Sequence, residues 1–297
     1  METRNGGVGP QGLARTRPRA PGTFVDVDGL RIHVERRGNC GPPVVLLHGY
    51  LGSTATWYPA LEHLGDQVRA VAVDLPGHGY SSKPLDGVYT LPWYAALLPR
   101  LWRALDVDAP VVLAHSFGAA VAMHALAGNP SLARGLVMVS PMVAGDAAPP
   151  GLRVARAFPR FMRRVFGSKL GRAAMPVLVR RAGFTRRDIH CPLRARRLLW
   201  NLDTPGGWEA ATAVGLNAFA HAPGPAMWRQ VNTPVLMFWG EQDPIHPPGV
   251  GAEVCRNLAG PSRLVVLPAA SHNCHDEAAP AFSAHVLDWI KQLGRSV

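Results

Sequence analysis

A serine flanked by small residues and placed directly after an apolar run is the feature that most constrains the fold. Residues 111–114 read VVLA, and the chain continues with HSFG into the helix-forming sequence AAVAMH. This order predicts a buried strand, a sharp turn at the serine and a helix. Ala114 and Gly118 stand two positions before and after Ser116, where larger side chains would collide across such a turn. We therefore expect the Ser116 hydroxyl to be held exposed at the start of a helix.

Short apolar runs alternate with helical patterns along most of the chain. Strands are predicted at 24–27, 30–35, 44–47, 68–73, 111–114, 136–140, 235–239 and 264–267, the first two forming a hairpin around Asp28 and Gly29. Helices are predicted at 56–64, at 91–105 with a kink or break at Pro99, from the serine to about 127, and at 281–292. This alternation predicts an α/β fold, in which helices cover both faces of a mostly parallel sheet.

The pattern divides the chain into four segments. Residues 1–22 contain four arginines, several glycines and prolines and no apolar core, so we expect a disordered basic leader and not a signal peptide. Residues 23–141 and 230–297 carry the strands and are expected to form the N-terminal and C-terminal parts of one core. Residues 142–229 lack buried strand runs and have helical spacing, which predicts a helical cap over the carboxyl ends of the strands.

Composition excludes several classes of protein. The apolar fraction is 47%, which excludes global disorder, and no apolar run reaches the roughly 18 residues that a membrane span needs. The four cysteines are scattered and form no CxxC pair. This pattern favours free thiols in the cytoplasm over a zinc site or a disulfide framework.

Hydrolysis by a serine needs a base and a carboxylate in addition to the nucleophile. Asp243 and His272 each follow a predicted strand by a few positions, so both are expected at the same edge of the sheet as Ser116. The chain order Ser, Asp, His is typical of a nucleophile on a strand–turn–helix elbow. Taken singly, Ser116 would also fit an ordinary helix N-cap and Asp243 a turn residue.

Other acids and histidines compete for these roles. Glu241 is close to Asp243 but is expected to point away from the serine, and Asp146 is a less favoured acid. His275 is expected at the start of the last helix, solvated beside two acids, which favours His272 as the base. Three further histidines are expected to make structural hydrogen bonds near the same crevice: His48, His78 and His115.

Backbone N–H groups are the expected donors to an oxyanion. Phe117 follows the nucleophile directly and supplies one of them. Tyr50, after a His-Gly pair that ends a predicted strand, is the expected second donor, with Leu51 as the alternative. Gly49 permits a close approach of this backbone.

Five stretches together resemble the α/β-hydrolase superfamily, in its serine-dependent, capped branch of carboxylesterases, lipases and carbon–carbon bond hydrolases. They are HGYLGS at 48–53, DLPGHGYS at 74–81, AHSFG at 114–118, GEQD at 240–243 and SH at 271–272. The resemblance extends from about residue 24 to the C-terminus, apart from the cap. It implies the eight-stranded-type sheet of that fold and a serine triad.

Two positions depart from the pattern of this superfamily. Ala114 stands where glycine is common, and Ser271 stands where glycine often precedes the base. The resemblance also argues against epoxide hydrolases and haloalkane dehalogenases, because those enzymes have an aspartate where this chain has Ser116.

We therefore expect a serine hydrolase that cleaves a carboxylic ester or thioester through an acyl-enzyme on Ser116, with an apolar or lipid-like substrate and no metal or organic cofactor. One alternative is carbon–carbon bond hydrolysis or acyl transfer by the same triad. Another is a non-catalytic ligand receptor built on the same fold.

Positive charge is concentrated in the predicted cap. The chain has a formal net charge of +11, and residues 151–197 hold fourteen Lys and Arg against one acid. Within 153–166, apolar residues and arginines alternate at helical spacing. One interpretation is a solvated face on a helix that packs on the core. A second interpretation is that this segment binds an anionic membrane surface, so that the protein associates with it peripherally. A third is that it binds an anionic substrate group or an acyl carrier. Nucleic acid is not expected, because no base-reading motif accompanies the charge.

Overall fold

Eight strands form one sheet in the computed structural model, which describes residues 21–84, 89–143, 164–165, 168–185, 191–218 and 221–295. They are β1 (Thr23–Val27), β2 (Leu30–Arg37), β3 (Pro43–Leu47), β4 (Arg69–Val73), β5 (Val111–His115), β6 (Gly135–Val139), β7 (Val235–Gly240) and β8 (Ser262–Leu267). Their order is β1-β2-β4-β3-β5-β6-β7-β8. The pairs β1–β2 and β2–β4 are antiparallel, and every other neighbouring pair is parallel. The predicted fold class is confirmed.

The eight strands form where the sequence predicts them. Asp28 and Gly29 connect β1 to β2 with φ of 54° and 78°, the double left-handed turn that suits the twist of a hairpin. The central strands β5, β6 and β7 are buried along their whole length. In β3, Val45 and Leu47 pack into one core cluster and Leu46 into the other, as alternation in a strand covered on both faces requires.

The described helices are α1 (Tyr58–Leu64), α2 (Leu91–Leu105), α3 (Phe117–Gly128), α4 (Lys169–Gly183), α5 (Cys191–Leu199), α6 (Gly207–Ala218), α7 (Pro225–Trp228), α8 (Pro248–Asn257), α9 (Cys274–Glu277) and α10 (Ala279–Leu293). Short 3-10 turns at Thr54–Trp57 and Trp200–Asp203 precede α1 and follow α5. None of these helices combines the length and apolar character that a bilayer crossing requires.

Helix α2 is not broken at its internal proline. Pro99 removes one backbone donor, yet the helix continues from Leu91 to Leu105. Buried residues along one side, among them Tyr94 and Leu101, pack into the main core. Tertiary packing therefore outweighs the local preference for a break.

The cap segment is the name used here for residues 142–229, between β6 and β7. Its described part contains α4 to α7 and no strand. Residues 1–20 and 144–163 lie outside the described residues, and with them nearly all of the predicted leader 1–22 and most of the basic stretch 153–166. The division of the chain into leader, core and cap stays a prediction.

Candidate active site

Ser116 lies between the last residue of β5 and the first residue of α3. Its backbone has φ of 47° and ψ of −108°, a region that residues with side chains rarely occupy, and its N–H donates to the Val139 carbonyl oxygen at 2.9 Å. A Cβ at Gly118 would lie 2.6 Å from the carbonyl oxygens of Leu47 and His48. Glycine there allows α3 to begin against the end of β3, and this brings the loop after β3 to the serine.

Three of the predicted site residues form one hydrogen-bonded series. His272 Nε2 lies 3.1 Å from Ser116 Oγ, and His272 Nδ1 lies 2.9 Å from Asp243 Oδ2. Asp243 and His272 lie in the loops that follow the carboxyl ends of β7 and β8. An ionised carboxylate only accepts, so Nδ1 carries the proton and Nε2 accepts from the serine hydroxyl. This is the polarity that nucleophilic attack by a serine requires.

The Asp243 carboxylate is held in its charged form although it is buried. Its Oδ1 accepts from the N–H groups of Ile245 at 2.8 Å and His246 at 3.3 Å, while Oδ2 faces His272. Burial alone would raise the pKa of Asp243, but the His272 ring and the two backbone donors outweigh it and lower the pKa. The group that orients His272 is therefore ionised at neutral pH.

Of the two competing acids, the structure describes Glu241 alone. Glu241 Oε2 accepts from the Ala269 N–H at 3.0 Å, so this carboxylate joins the loop after β7 to the loop after β8. Asp146 lies outside the described residues.

The prediction that His275 is solvated is wrong. Its side chain is completely buried, with its ring centroid 4.5 Å from that of Trp57 and 4.6 Å from that of His115. The two acids that follow it bind the cap segment, so this short helix faces protein where the sequence suggested water. Burial, followed by the neighbouring His272 and arginine charges, lowers the pKa of His275 to about 3.

The three other histidines of the crevice are buried and contact backbone groups, as predicted. His78 Nδ1 lies 3.3 Å from the Pro76 carbonyl oxygen, and His115 Nε2 lies 3.1 Å from that of His272. Both ring nitrogens of His48 have backbone partners. Burial lowers the pKa of all three rings, to about 3 for His78, so they are neutral at physiological pH.

One expected oxyanion donor belongs to the elbow, and the other belongs to the loop that packs against it. Phe117 is the first residue of α3, so its N–H has no acceptor within the helix. Tyr50 belongs to the loop after β3. A Cβ at Gly49 would lie 2.5 Å from His115 Nδ1 and 3.4 Å from Ser116 Cβ, so the backbone of this loop lies against the elbow.

A group of contacts between the cap segment and the histidine loop was not predicted. Asn273 donates to the Gly183 carbonyl oxygen from its backbone N at 3.1 Å and from Nδ2 at 2.7 Å. The Glu277 carboxylate accepts from the Thr185 N–H at 2.7 Å and from the Ser271 N–H at 2.6 Å. The end of α4 is therefore fixed to both sides of His272.

A buried ion pair strengthens the same attachment. Asp276 is 5% exposed and pairs with Arg194 and Arg197 of α5. Arg194 and Arg197 lie 82 and 79 residues before Asp276 in the sequence, and no local pattern predicts their contact with it. Within the described part of the chain, no group of three or more His, Cys, Asp or Glu is arranged to hold a metal ion.

The chain was compared with known proteins. A family model described as the alpha/beta hydrolase fold matches residues 42–279. A dihydrolipoyllysine-residue acetyltransferase component of an acetoin cleaving system from Cupriavidus necator is 32% identical over 230 residues, which is 75% of this chain but only 58% of that protein. A pimeloyl-[acyl-carrier protein] methyl ester esterase from Neisseria meningitidis serogroup B is 27% identical, over 84% of this chain and 92% of that one.

A solved structure shows the same fold. A thermophilic esterase from Thermogutta terrifontis aligns with a TM-score of 0.76 at 23% identity, over 92% of this chain and 99% of that one. The family model matches most of the sequence, and the sheet has the topology described above. The chain therefore belongs to the α/β-hydrolase superfamily.

Proposed function

We propose that this protein is a serine hydrolase that cleaves a carboxylic ester or thioester through an acyl-enzyme on Ser116. The observation that carries the proposal is the hydrogen-bonded series from Asp243 through His272 to Ser116 Oγ. Esterases among the similar proteins support the choice of bond. No step of the chemistry below calls for a metal or an organic cofactor.

In the first half of the reaction, Ser116 Oγ attacks the carbonyl carbon while His272 Nε2 takes the hydroxyl proton. Asp243 stabilises the imidazolium that forms. The carbonyl oxygen gains negative charge, and the N–H groups of Phe117 and Tyr50 are the proposed donors to it. The tetrahedral intermediate then collapses, and His272 gives its proton to the departing alcohol or thiol.

In the second half, His272 removes a proton from water, and the resulting oxygen attacks the acyl carbon on Ser116. Collapse of this intermediate returns the proton from His272 to Ser116 Oγ and releases the acid. The two halves together therefore return Ser116 and His272 to their starting states, with one water consumed per ester.

The direct test uses p-nitrophenyl esters of increasing acyl length. Wild-type protein should release p-nitrophenol, and Ser116→Ala should lower kcat by a factor on the order of 10⁶ while retaining the fold. A rise of kcat/KM with acyl length would support the apolar substrate that we propose. Equal turnover by wild type and Ser116→Ala would contradict a reaction at this serine.

Acyl transfer is the second candidate, since the acetyltransferase component is a relative at 32% identity. It uses the same acyl-enzyme but replaces water with another alcohol or thiol. Adding such acceptors during ester turnover separates the two reactions. An acyl product formed in preference to free acid would favour transfer.

We also propose that the outer face of α4 and α5 rests on an anionic lipid bilayer. Leu170 is 80% exposed and Leu193 is 67% exposed, with Val177 and Leu178 about half exposed beside them. The two helices pack against each other and contain no acid, and five of their seven arginines and lysines are exposed, while Arg194 and Arg197 pair with Asp276. Large exposed apolar side chains among cations match the surface of a bilayer, where anionic headgroups cover apolar chains.

Co-sedimentation with vesicles of equal parts phosphatidylglycerol and phosphatidylcholine tests this face. Wild type should sediment with them and be released by salt, and a Leu170→Ser, Leu193→Ser double variant should bind more weakly. Absence of vesicle binding at low salt would contradict the proposal, as would a preference for an acidic carrier protein. The free thiols of Cys40, Cys255 and Cys274 support a cytoplasmic protein associated with such a surface.

A further inference from the structure

The loop after β3, residues 48–53, is joined to the described part of the cap segment by hydrogen bonds of three side chains. Tyr50 Oη donates to the Ala211 carbonyl oxygen at 2.8 Å. Trp200 Nε1 donates to Ser53 Oγ at 3.0 Å. The third side chain, that of Asn201, contacts the backbone of the loop itself. This difference matters because the loop carries the proposed oxyanion donor.

Asn201 is a buried amide whose NH₂ group faces carbonyl oxygens. Its side chain is 1% exposed in a residue between α5 and α6. Nδ2 donates to the Leu51 carbonyl oxygen at 2.5 Å, and it lies 3.1 Å from those of Gly52 and Leu198. All three partners only accept, so the amide must present its hydrogens to them.

These contacts begin a series of hydrogen bonds that leads to Tyr50. The Leu51 carbonyl belongs to the same peptide group as the Gly52 N–H, which donates to the Gly49 carbonyl oxygen at 2.9 Å. The Gly49 carbonyl belongs to the same peptide group as the Tyr50 N–H. In a planar trans peptide the C=O and N–H point in opposite directions, so each bond fixes the direction of the next. The series thus runs from Asn201 Nδ2 to the Tyr50 N–H.

A second donor fixes the same peptide group. His48 Nε2 accepts from the Leu75 N–H at 3.0 Å, so the neutral ring carries its proton on Nδ1, which lies 2.8 Å from the Gly49 carbonyl oxygen. Leu51 has φ of 62°, a conformation that leucine rarely adopts. The loop therefore depends on contacts with other parts of the chain to keep its conformation. Asn201 of the cap segment supplies such contacts to its backbone.

We propose that Asn201 is a positioning residue that orients the Tyr50 N–H for the oxyanion through the Leu51–Gly52 and Gly49–Tyr50 peptide groups. The proposal rests on the serine hydrolase mechanism above. Hydrogen bonds in series also polarise one another, which strengthens the last donor. The benefit appears as charge develops on the carbonyl oxygen, so it belongs to the transition state and not to substrate binding.

The experiment compares Asn201→Ala with Trp200→Phe, a matched control from the same 3-10 turn. Trp200→Phe keeps an aromatic ring at the position that contacts Tyr80 and removes the N–H that donates to Ser53 Oγ, a bond outside the series. Loss of a whole oxyanion donor costs about 10²–10³ in kcat, and misorientation of one should cost about tenfold. We expect kcat of Asn201→Ala to fall by about that factor with KM within roughly twofold of wild type.

A trifluoromethyl ketone supplies a readout that a merely structural role would not change. The serine oxygen adds to the ketone carbonyl, and the adduct carries an oxyanion in place of that of the tetrahedral intermediate. The inhibition constant should therefore rise about tenfold in Asn201→Ala and stay unchanged in Trp200→Phe. If Asn201→Ala does not fold, Asn201→Ser, which keeps one donor, is compared with Trp200→Phe in its place. The expected changes in kcat and in the inhibition constant are then smaller.

Unchanged kcat and inhibition constants in a folded Asn201 variant would overturn the proposal, as would equal losses in Trp200→Phe. If the wild type turns over esters and either of these outcomes is found, only the role of Asn201 is refuted. A folded wild type that turns over no ester refutes the proposed function together with this role.

Discussion

His275 offers a test of the buried histidine cluster next to the active site. Its ring is enclosed by Trp57, His115 and Phe282, and neither ring nitrogen has a hydrogen-bond partner among the described residues. The pKa of His275 is lowered to about 3 from the 6.5 of a free histidine. The unfolded chain therefore binds a proton at this residue below pH 6.5, while the folded chain does not until about pH 3.

The size of the effect follows from this difference in pKa. Each unit is worth about 1.4 kcal/mol, so at pH 4.5 proton uptake by His275 in the unfolded state should lower the free energy of unfolding by about 2–3 kcal/mol. The sign is a loss of stability as the pH falls from 6.5 towards 3, with no contribution above that window. Replacement by phenylalanine removes the titration and leaves an apolar ring in the same place.

Urea unfolding followed by tryptophan fluorescence at pH 7 and pH 4.5 measures this difference. The decrease in unfolding free energy between the two pH values should be smaller in His275→Phe than in wild type by about 2–3 kcal/mol. His63→Gln, at an exposed position on α1, is the control and should lose as much stability as wild type. Equal pH dependence in wild type and His275→Phe would show that the ring titrates in the folded protein and would refute the reasoning.

Three further substitutions test the site and its support. Asp243→Asn should lower kcat by about 10⁴, because the amide no longer holds Nδ1–H of His272; a loss below tenfold in ester turnover would contradict its role. Gly118→Val should prevent an active fold, because its Cβ would lie 2.6 Å from two backbone oxygens; normal expression and activity would be the contrary result. Asp276→Asn should lower the free energy of unfolding by about 2–3 kcal/mol, since it leaves two partly buried arginines without their carboxylate, and urea unfolding would show it.

The elbow and the three candidate catalytic positions were predictable because local sequence marks them. Apolar runs end abruptly, and polar residues follow at Ser116, Asp243 and His272. In a parallel sheet those ends share one edge, so side chains distant in sequence were expected to meet. The hydrogen bonds between them follow from that topology and not from any long-range signal in the sequence.

The environment of His275 and the attachments of the cap segment could not be predicted in the same way. Asp276 and Glu277 suggested a solvated helix start, but their partners lie about 80–90 residues earlier in the cap segment. Asn201 meets carbonyl groups 149 and 150 residues away. A single sequence contains no periodicity that joins such positions, and only the packing of the cap decides them.

The central claim is that Ser116 is an activated nucleophile. The most direct measurement treats the folded protein with a fluorophosphonate probe and maps the adduct by peptide mass spectrometry. We predict one adduct per chain, on Ser116, which disappears in Ser116→Ala and forms far more slowly in a folded His272→Ala variant. A folded wild-type protein that stays unlabelled, or that is labelled at another residue, would contradict the claim and favour a non-catalytic receptor on the same fold.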